Sequence, residues 1–203
     1  MSERAEFVTA REYFEELERV SSELSHHVVD QIAGALFQAY QYGRTVYTFG
    51  NGGSASLASH FACDLGKGTA HCNGGRRFRV LALTDNVPTL TAWANDSSYE
   101  DIFSEQLATF VQPRDVVFAI SGSGNSKNVL RALRTARQAG AVILGISGFQ
   151  GGQMRELCDI CVVVPSNNMQ IIEDLHLAIA HSIFRIVSSR ISSTAVTAVS
   201  VAE

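Results

Sequence analysis

Five short apolar runs, separated by segments of helical length, are the feature that most restricts the fold of this 203-residue chain. The runs are rich in Val, Ile and Leu and are continuous rather than alternating, which is typical of parallel strands covered on both faces. They predict strands at residues 45–49, 78–83, 116–120, 142–146 and 160–164. The segments between them predict helices at residues 54–65, 87–93, 99–110, 126–139 and 152–157. This alternation predicts an α/β fold, a doubly wound three-layer sandwich with a central parallel sheet.

The length of the chain predicts one domain with a substantial hydrophobic core. Apolar side chains recur at close to 3.6-residue spacing over residues 10–42, so an N-terminal helical segment is expected there. Another long helix is expected over residues 169–190. We therefore expect a single domain over residues 1–191, followed by a flexible tail of small and polar residues at 192–203.

The composition argues against two classes of partner. The net charge is −4, and no basic run is longer than the pair Arg76 and Arg77, so we expect no nucleic acid to bind. No apolar stretch reaches the ~18 residues of a membrane span, and the first residues are polar rather than those of a signal sequence. We therefore expect no membrane partner and a cytoplasmic location.

The loop Ser-Gly-Ser-Gly-Asn-Ser at residues 121–126 lies between a predicted strand and a predicted helix. Glycines let the backbone approach a ligand closely, and the N–H groups at a helix N-terminus attract anions. The hydroxyls of Ser121, Ser123 and Ser126 add short neutral donors. The loop predicts a phosphate-binding site, although Ser and Gly turns of this kind also serve as plain helix caps.

A second loop of the same design, Gly-Asn-Gly-Gly-Ser at residues 50–54, follows the first predicted strand. It lacks both the G-x-G-x-x-G pattern of dinucleotide-binding folds and the Gly-Lys-Ser/Thr ending of a Walker loop. Ligands of open α/β sheets bind at the carboxyl ends of strands, where these two loops are expected to converge. Together they predict that one phosphorylated ligand is bound from both sides.

Two predicted helices carry side chains suited to acid–base or metal chemistry. His60 and Asp64 are four residues apart on the helix after residues 50–54, so they share a face. Such a pair can bind a metal or move protons, or it can form an ordinary surface hydrogen bond. On the C-terminal helix, His176 and His181 differ in direction by roughly 140°, so both cannot serve one site.

Cys158 and Cys161 have the two-residue gap of a zinc or redox pair. They enter the apolar run at residues 162–164, and the chain offers no clear second pair. Core packing of two small thiols is therefore favoured, with a structural metal site as the alternative.

Several separate segments, in order and at matching spacing, resemble the sugar isomerase (SIS) domain family and, within it, the phosphoheptose isomerases. They are GNGGSASLASHFACDL (50–65), TAWAND (91–96), ISGSGNSKNVLRAL (120–133), GFQGGQM (148–154) and EDLHLAIAH (173–181). The resemblance implies an SIS α/β sandwich that assembles as a homotetramer with active sites near the subunit interfaces. It also implies isomerisation of sedoheptulose 7-phosphate to D-glycero-D-manno-heptose 7-phosphate through an enediol intermediate.

The resemblance further implies roles for individual residues. One Zn²⁺ ion per subunit would be held by His60, Asp64, Glu173 and His181. Asp64 would be the carboxylate base and His181 its acid/base partner, which leaves His176 as a packing or interface residue. The sugar would be bound by Asn51, Gly52, Gly53, Ser54, Asp64, Asn95, Asp96 and Glu173, and the phosphate by Ser121, Gly122, Ser123 and Ser126.

Three positions depart from the family pattern. Asp64 stands where the family typically has Glu, Glu173 where it has Gln, and Gly122 where it has Thr. The shorter side chain of Asp64 changes the reach of the proposed base. The added charge of Glu173 beside a phosphorylated substrate is tolerated mainly when a cation is present, which supports a metal site.

A second hypothesis is a non-catalytic SIS module that binds a sugar phosphate or a protein partner such as a replication initiator. The presence of both His60 and His181 favours the enzyme, because a module that only binds has less use for them.

Overall fold

A parallel five-stranded sheet forms the centre of the computed structural model, which describes residues 7–70, 72 and 76–200. Its strands are β1 (Thr45–Phe49), β2 (Arg79–Ala82), β3 (Val116–Ser121), β4 (Val142–Ser147) and β5 (Ile160–Val163). They lie in the order β2-β1-β3-β4-β5, and all four pairings are parallel. The doubly wound α/β prediction is therefore confirmed.

Eight α-helices accompany the sheet in the part of the chain that the structure describes. They are α1 (Ala10–Ser22), α2 (His26–Gln41), α3 (Gly53–Cys63), α4 (Val87–Asp96), α5 (Ser104–Phe110), α6 (Lys127–Gln138), α7 (Met154–Leu157) and α8 (Met169–Ser200). A π-helical turn at Asp64–Gly68 extends α3, and a 3₁₀ turn at Tyr99–Asp101 precedes α5. None of these helices has the length and apolar character needed to cross a bilayer.

Two hydrophobic cores lie on opposite faces of the sheet. The first is shared with α1, α2, α3 and α8, and the second with α5, α6 and α7. Alternate side chains of β3 enter them, so that Phe118 belongs to the first core and Val117 to the second. All six residues of β3 are buried, which explains why its first five residues are continuously apolar rather than alternating.

The last helix is longer than its sequence predicts. The expected tail begins at residue 192, but α8 continues to Ser200. Ile191 is fully buried in the first core, and the hydroxyls of Ser192 and Ser193 donate to carbonyls four residues earlier in the helix. A buried anchor and these internal bonds extend the helix through a polar sequence. The end of the predicted tail, residues 201–203, lies outside the described residues.

The ends of β1 and β3 lie so close together that Gly50 has no room for a side chain. A Cβ at Gly50 would stand 2.6 Å from the carbonyl oxygen of Ile120 and 2.6 Å from Cβ of Ser54. The carbonyl oxygen is part of the backbone and the Cβ is bonded to it, so neither atom can move away by a side-chain rotation.

We predict that Gly50→Ala lowers the free energy of unfolding by about 1–3 kcal/mol, because the added methyl forces the two strand ends apart. The matched control is Gly34→Ala in α2, where the nearest atom to a new Cβ is 3.5 Å away. That change should raise stability by about 0.5–1 kcal/mol, since alanine favours the helix. Urea denaturation measures both, and equal effects would contradict the close approach.

Candidate active site

The two glycine-rich loops face each other at the carboxyl edge of the sheet, because the strands that precede them are neighbours. A reciprocal pair of amide hydrogen bonds joins them. Nδ2 of Asn51 donates to Oδ1 of Asn128 at 2.9 Å, and Nδ2 of Asn128 donates to Oδ1 of Asn51 at 2.8 Å. Asn51 belongs to the first loop and Asn128 to the first turn of α6, directly after the second loop.

The first loop turns into α3 through Gly52, whose φ of 55° is easily reached only by glycine. The carboxylate of Glu173, on α8, lies against this turn. Its two oxygens are 3.2 and 3.3 Å from the position that a Cβ at Gly53 would take. The negative charge therefore lies beside the N-terminus of α3, where the helix dipole favours it.

The second loop directs its serine hydroxyls in different ways. The hydroxyls of Ser121 and Ser123 accept from the N–H groups of Gly124 and Asn125, each at 3.2 Å, and keep their own hydrogens as donors. Ser126 is the N-cap residue of α6 but makes no side-chain capping bond within the described residues. Its half-buried hydroxyl and the helix N-terminus can therefore both serve an anion.

The segment 148–154 supports the second loop from behind. N–H groups of Gly148 and Met154 donate to the carbonyls of Gly122 and Gly124 at 2.9 and 3.0 Å. Gly122 packs so closely that a Cβ there would lie 2.6 Å from Sδ of Met169. Met169 thus fills the space that a larger residue at position 122 would need.

His60, Asp64 and His181 form a cluster in which each residue offers one ligand atom, and these atoms lie within 4.8 Å of one another. The Nε2 atoms of the two histidines are 2.9 Å apart, and Oδ2 of Asp64 is 3.4 Å from the first and 3.8 Å from the second. Both histidine side chains are about half exposed. Two imidazoles and one carboxylate, open on one side, are a donor set that can hold a metal and admit a further ligand.

The π-helical turn Asp64–Gly68 sets the position of Asp64. Isolated π turns of this kind are frequent at functional sites, because they shift a side chain relative to a regular helix. The turn is packed against α8, since a Cβ at Gly68 would lie 2.7 Å from the ring of Phe184. Asp64 and His181 therefore lie on the π turn and α8, the same two elements that pack together at Gly68 and Phe184.

A cavity of about 380 Å³ lies beside the cluster, between α3 and α8. Its walls include five residues that the sequence analysis assigned to the site: Gly53, Ser54, His60, Glu173 and His181. His176 also contributes to the wall, although its side chain is only 1% exposed. Neither of its ring nitrogens has a hydrogen bond of normal geometry among the described residues. Burial lowers the pKa of His176 to about 4, and the nearby backbone of Ser147 opposes this only in part.

Comparisons with known proteins decide the family. The profile of the SIS domain matches residues 12–148. The phosphoheptose isomerase of Rhodospirillum rubrum is 38% identical over 171 residues, which cover 81% of this chain and 87% of that protein. The probable phosphoheptose isomerase of Thermoplasma acidophilum is 36% identical over 182 residues, covering 89% and 98%. This chain belongs to the phosphoheptose isomerase family of SIS-domain proteins.

The solved structure of a phosphoheptose isomerase from Neisseria gonorrhoeae superposes on this chain with a TM-score of 0.82 at 27% identity. The match covers 88% of this chain and 96% of that one. The fold of the family therefore extends over 88% of the chain, which is more than the SIS profile matches.

Two groups of residues that the sequence analysis assigned to the site lie apart from its other members. Glu173, expected as a fourth metal ligand, lies outside the cluster of His60, Asp64 and His181 and against Gly53 instead. Glu173 and His181 are eight positions apart along α8, a rise of roughly 12 Å. Asn95 and Asp96 are exposed at the end of α4, where the amide of Asn95 donates to the carboxylate of Asp96 at 2.8 Å. No hydrogen bond among the described residues links that pair to either loop.

Two residues at the site escape sequence reasoning. Asn128 is buried and bonds to Asn51, and the hydroxyl of Tyr99 donates to the same Asn51 at 3.0 Å. The sequence signal for Asn128 is weak: it is an Asn in the first turn of the helix that follows the second loop, within the ISGSGNSKNV segment. Nothing in the sequence distinguishes Tyr99 from other tyrosines. Cys158 and Cys161, by contrast, pack against the second core as expected.

We predict that His176 makes the protein lose stability in acid. Its pKa of about 4 in the folded state lies below the value near 6.5 of an exposed histidine, so the unfolded chain takes up the proton first as the pH falls. Neutral His176 does not reduce the free energy of unfolding above pH ~6.5. As the pH falls from ~6.5 to ~4, that free energy decreases by up to about 3 kcal/mol. Urea denaturation at several pH values measures it.

His176→Gln should remove most of this pH dependence, whereas replacing the exposed His27 with Gln should leave it in place. An unchanged acid slope in His176→Gln would show that another group is responsible.

Proposed function

We propose that this chain is an aldose–ketose isomerase that converts sedoheptulose 7-phosphate to D-glycero-D-manno-heptose 7-phosphate. One observation carries the proposal: His60 and His181, which form a cluster with Asp64, line a cavity whose wall also includes Gly53 and Ser54 of the first loop, in a chain of the phosphoheptose isomerase family. The cluster supplies acid–base groups, and the loops supply donors for hydroxyls and phosphate.

The phosphate of the substrate would be held by the second loop. Ser121, Gly122, Ser123 and Ser126 offer hydroxyl and backbone donors at the N-terminus of α6, which favours an anion. The sugar hydroxyls would contact Asn51, Gly52, Gly53 and Ser54 of the first loop, together with Glu173 on α8 and Asn95 and Asp96 at the end of α4. We place Glu173 on the sugar side because its carboxylate lies at the first loop.

Proton transfer would be carried out by Asp64 and His181. The carboxylate of Asp64 takes a proton from C1 of the ketose, and the electron pair forms the enediol double bond as the carbonyl oxygen gains a proton. Return of a proton to C2 and loss of one from the C1 hydroxyl completes the aldose. In the metal-free site, His181 would move the oxygen-bound protons through Nε2, which is 3.8 Å from Oδ2 of Asp64. With a metal on Nε2, only Nδ1 would be left for that role.

A metal fits this site as well. His60, Asp64 and His181 would hold Zn²⁺, one ion per subunit, because two imidazoles and a carboxylate are a common set of ligands in catalytic zinc sites. When bound, the ion would polarise the substrate oxygens and so acidify the adjacent C–H bond. The short side chain of Asp64 is no obstacle, since it already lies within 4 Å of both imidazoles.

We also propose a homotetramer with active sites near the subunit interfaces, located in the cytoplasm. None of the ten residues of α4, all within the described part of the chain, is buried. Val87 and Trp93 on this helix are 60% and 37% exposed, and Leu177 in the cavity wall is 41% exposed. Exposed apolar side chains such as these are typical of a surface that another subunit covers.

We predict that the protein binds one Zn²⁺ per chain and that His181→Gln weakens binding at least ~10-fold, because it removes a ligand. Isothermal titration calorimetry on the metal-free protein measures the affinity. The double variant Cys158→Ser, Cys161→Ser is the control and should bind as the wild type does. Loss of the metal in the double variant alone would place the ion at the thiols instead.

We predict that Asp64→Asn lowers kcat for sedoheptulose 7-phosphate by about 10²–10⁴-fold, because the amide cannot accept the proton. Asp64→Glu should keep most of the activity, and replacing the exposed Asp30 of α2 with Asn should leave it unchanged. NMR follows the product, and reaction in D₂O should place deuterium on C2. A wild-type protein that binds several ketose phosphates with Zn²⁺ present but turns over none would support the binding module instead.

A further inference from the structure

Asn51 is held by three hydrogen bonds that together fix which way its carboxamide points. Oδ1 of Asn51 accepts from Nδ2 of Asn128 at 2.8 Å and from the hydroxyl of Tyr99 at 3.0 Å. Its Nδ2 donates to Oδ1 of Asn128 at 2.9 Å. Asn128 is 2% exposed, so this pairing is shielded from competing water.

The direction of each bond follows from the backbone. The N–H of Val129 donates to Oδ1 of Asn128 at 2.9 Å, and a backbone N–H can only donate. This identifies the oxygen of the Asn128 amide, and its NH₂ group must therefore face Asn51. The atom of Asn51 that it meets is then an oxygen, which obliges Tyr99 to donate to it as well. One backbone hydrogen thus orders the whole network.

Counting the bonds shows what Asn51 has left for a ligand. A carbonyl oxygen has two lone pairs, and both are taken by Asn128 and Tyr99. Nδ2 has two hydrogens, of which one goes to Asn128. Within the described part of the chain, one N–H of Nδ2 is therefore the polar function of the Asn51 side chain that is left for a ligand.

The element that carries Tyr99 is itself fixed to α6. Nζ of Lys127 lies 3.1 Å from the carboxylate of Glu100, and Nε of Arg131 lies 2.9 Å from the buried carboxylate of Asp101. Two ion pairs therefore attach the turn Tyr99–Asp101 to the same helix that begins with Asn128. Tyr99 and Asn128 reach Asn51 as parts of one unit.

We propose that Asn128 and Tyr99 are positioning residues that hold Asn51 as a hydrogen-bond donor toward the substrate. Asn51 then donates to an acceptor oxygen of the bound sugar phosphate (a carbonyl, hydroxyl or phosphate oxygen) and cannot accept a hydrogen bond from a sugar hydroxyl. The hydrogen bonds that Asn128 and Tyr99 make with Asn51, called the clamp below, also couple the two loops. A displacement of α6, which begins directly after the phosphate loop, would move Asn51 in the sugar loop. The identity of the ligand rests on the proposed function, whereas the clamp itself does not.

The first test uses the ligand-free protein and NMR of its ¹⁵N-labelled asparagine side chains, with Asn51 assigned by its loss in Asn51→Asp. One Nδ2 hydrogen of Asn51 should exchange slowly with water and the other fast. Tyr99→Phe should shift the Asn51 amide signals, and it should be tolerated because Tyr99 is 59% exposed. Tyr42→Phe, at a tyrosine that is 74% exposed, is the matched control and should leave them in place.

The second test is kinetic. Tyr99→Phe should lower kcat/KM about 3- to 10-fold, the equivalent of one weakened hydrogen bond, with an unchanged melting temperature. Asn128→Asp should lower it at least as far, because a carboxylate still accepts from Val129 but cannot donate to Asn51. Tyr42→Phe should match the wild type.

Two results would overturn the inference. Asn51 amide signals that ignore Tyr99→Phe, or Nδ2 hydrogens that exchange alike, would show that the clamp does not order the amide. Shifted signals combined with wild-type kinetics would make the clamp a purely structural tie between the loops. If the wild type turns over no sedoheptulose 7-phosphate, the proposed function fails, and the exchange and shift measurements still decide the clamp.

Discussion

The parallel pairing of β1 with β3 is the constraint on which the site depends. Phe49 at the end of β1 lies opposite Ala119 of β3, so the loops that follow leave the sheet side by side. The helix after β1 packs on one face of the sheet and the helix after β3 on the other. Two neighbouring crossovers that diverge in this way open a crevice at the carboxyl edge, which is where ligands of such sheets bind.

The crevice alone would supply binding groups without chemistry, and the chemistry comes from the contact of α3 with α8. His60 and His181 are separated by 121 positions in the chain, yet their ring nitrogens are 2.9 Å apart. The π turn after α3 brings Asp64 to the same point and packs against the ring of Phe184. The cluster of His60, Asp64 and His181 is therefore positioned by helix packing, and the two glycine-rich loops by the sheet.

The packing of the helices and the edge of the sheet both fix the position of the first loop. Asn51 is bonded to α6 on one side, while Gly53 lies against Glu173 of α8 on the other. A small shift of α6 or α8 would displace the first loop between them, because the backbone at Gly50 has no free space. The first loop therefore links the position of α6 to that of α8.

Local sequence patterns determined much of this protein. The apolar runs predicted all five strands. A strand such as β3, which is buried on both faces, must be apolar whatever its neighbours are, whereas the edge strand β2 is partly exposed. The glycine-rich loops and the i,i+4 pair of His60 and Asp64 are likewise set by short-range geometry. Tertiary structure alone decided the strand order, the partners of Asn51, the position of Glu173 at α3 rather than at the cluster, and the extension of α8 past residue 191. Each of these depends on a contact between segments far apart in the chain, and residue periodicity carries no information about which distant surface a side chain will meet.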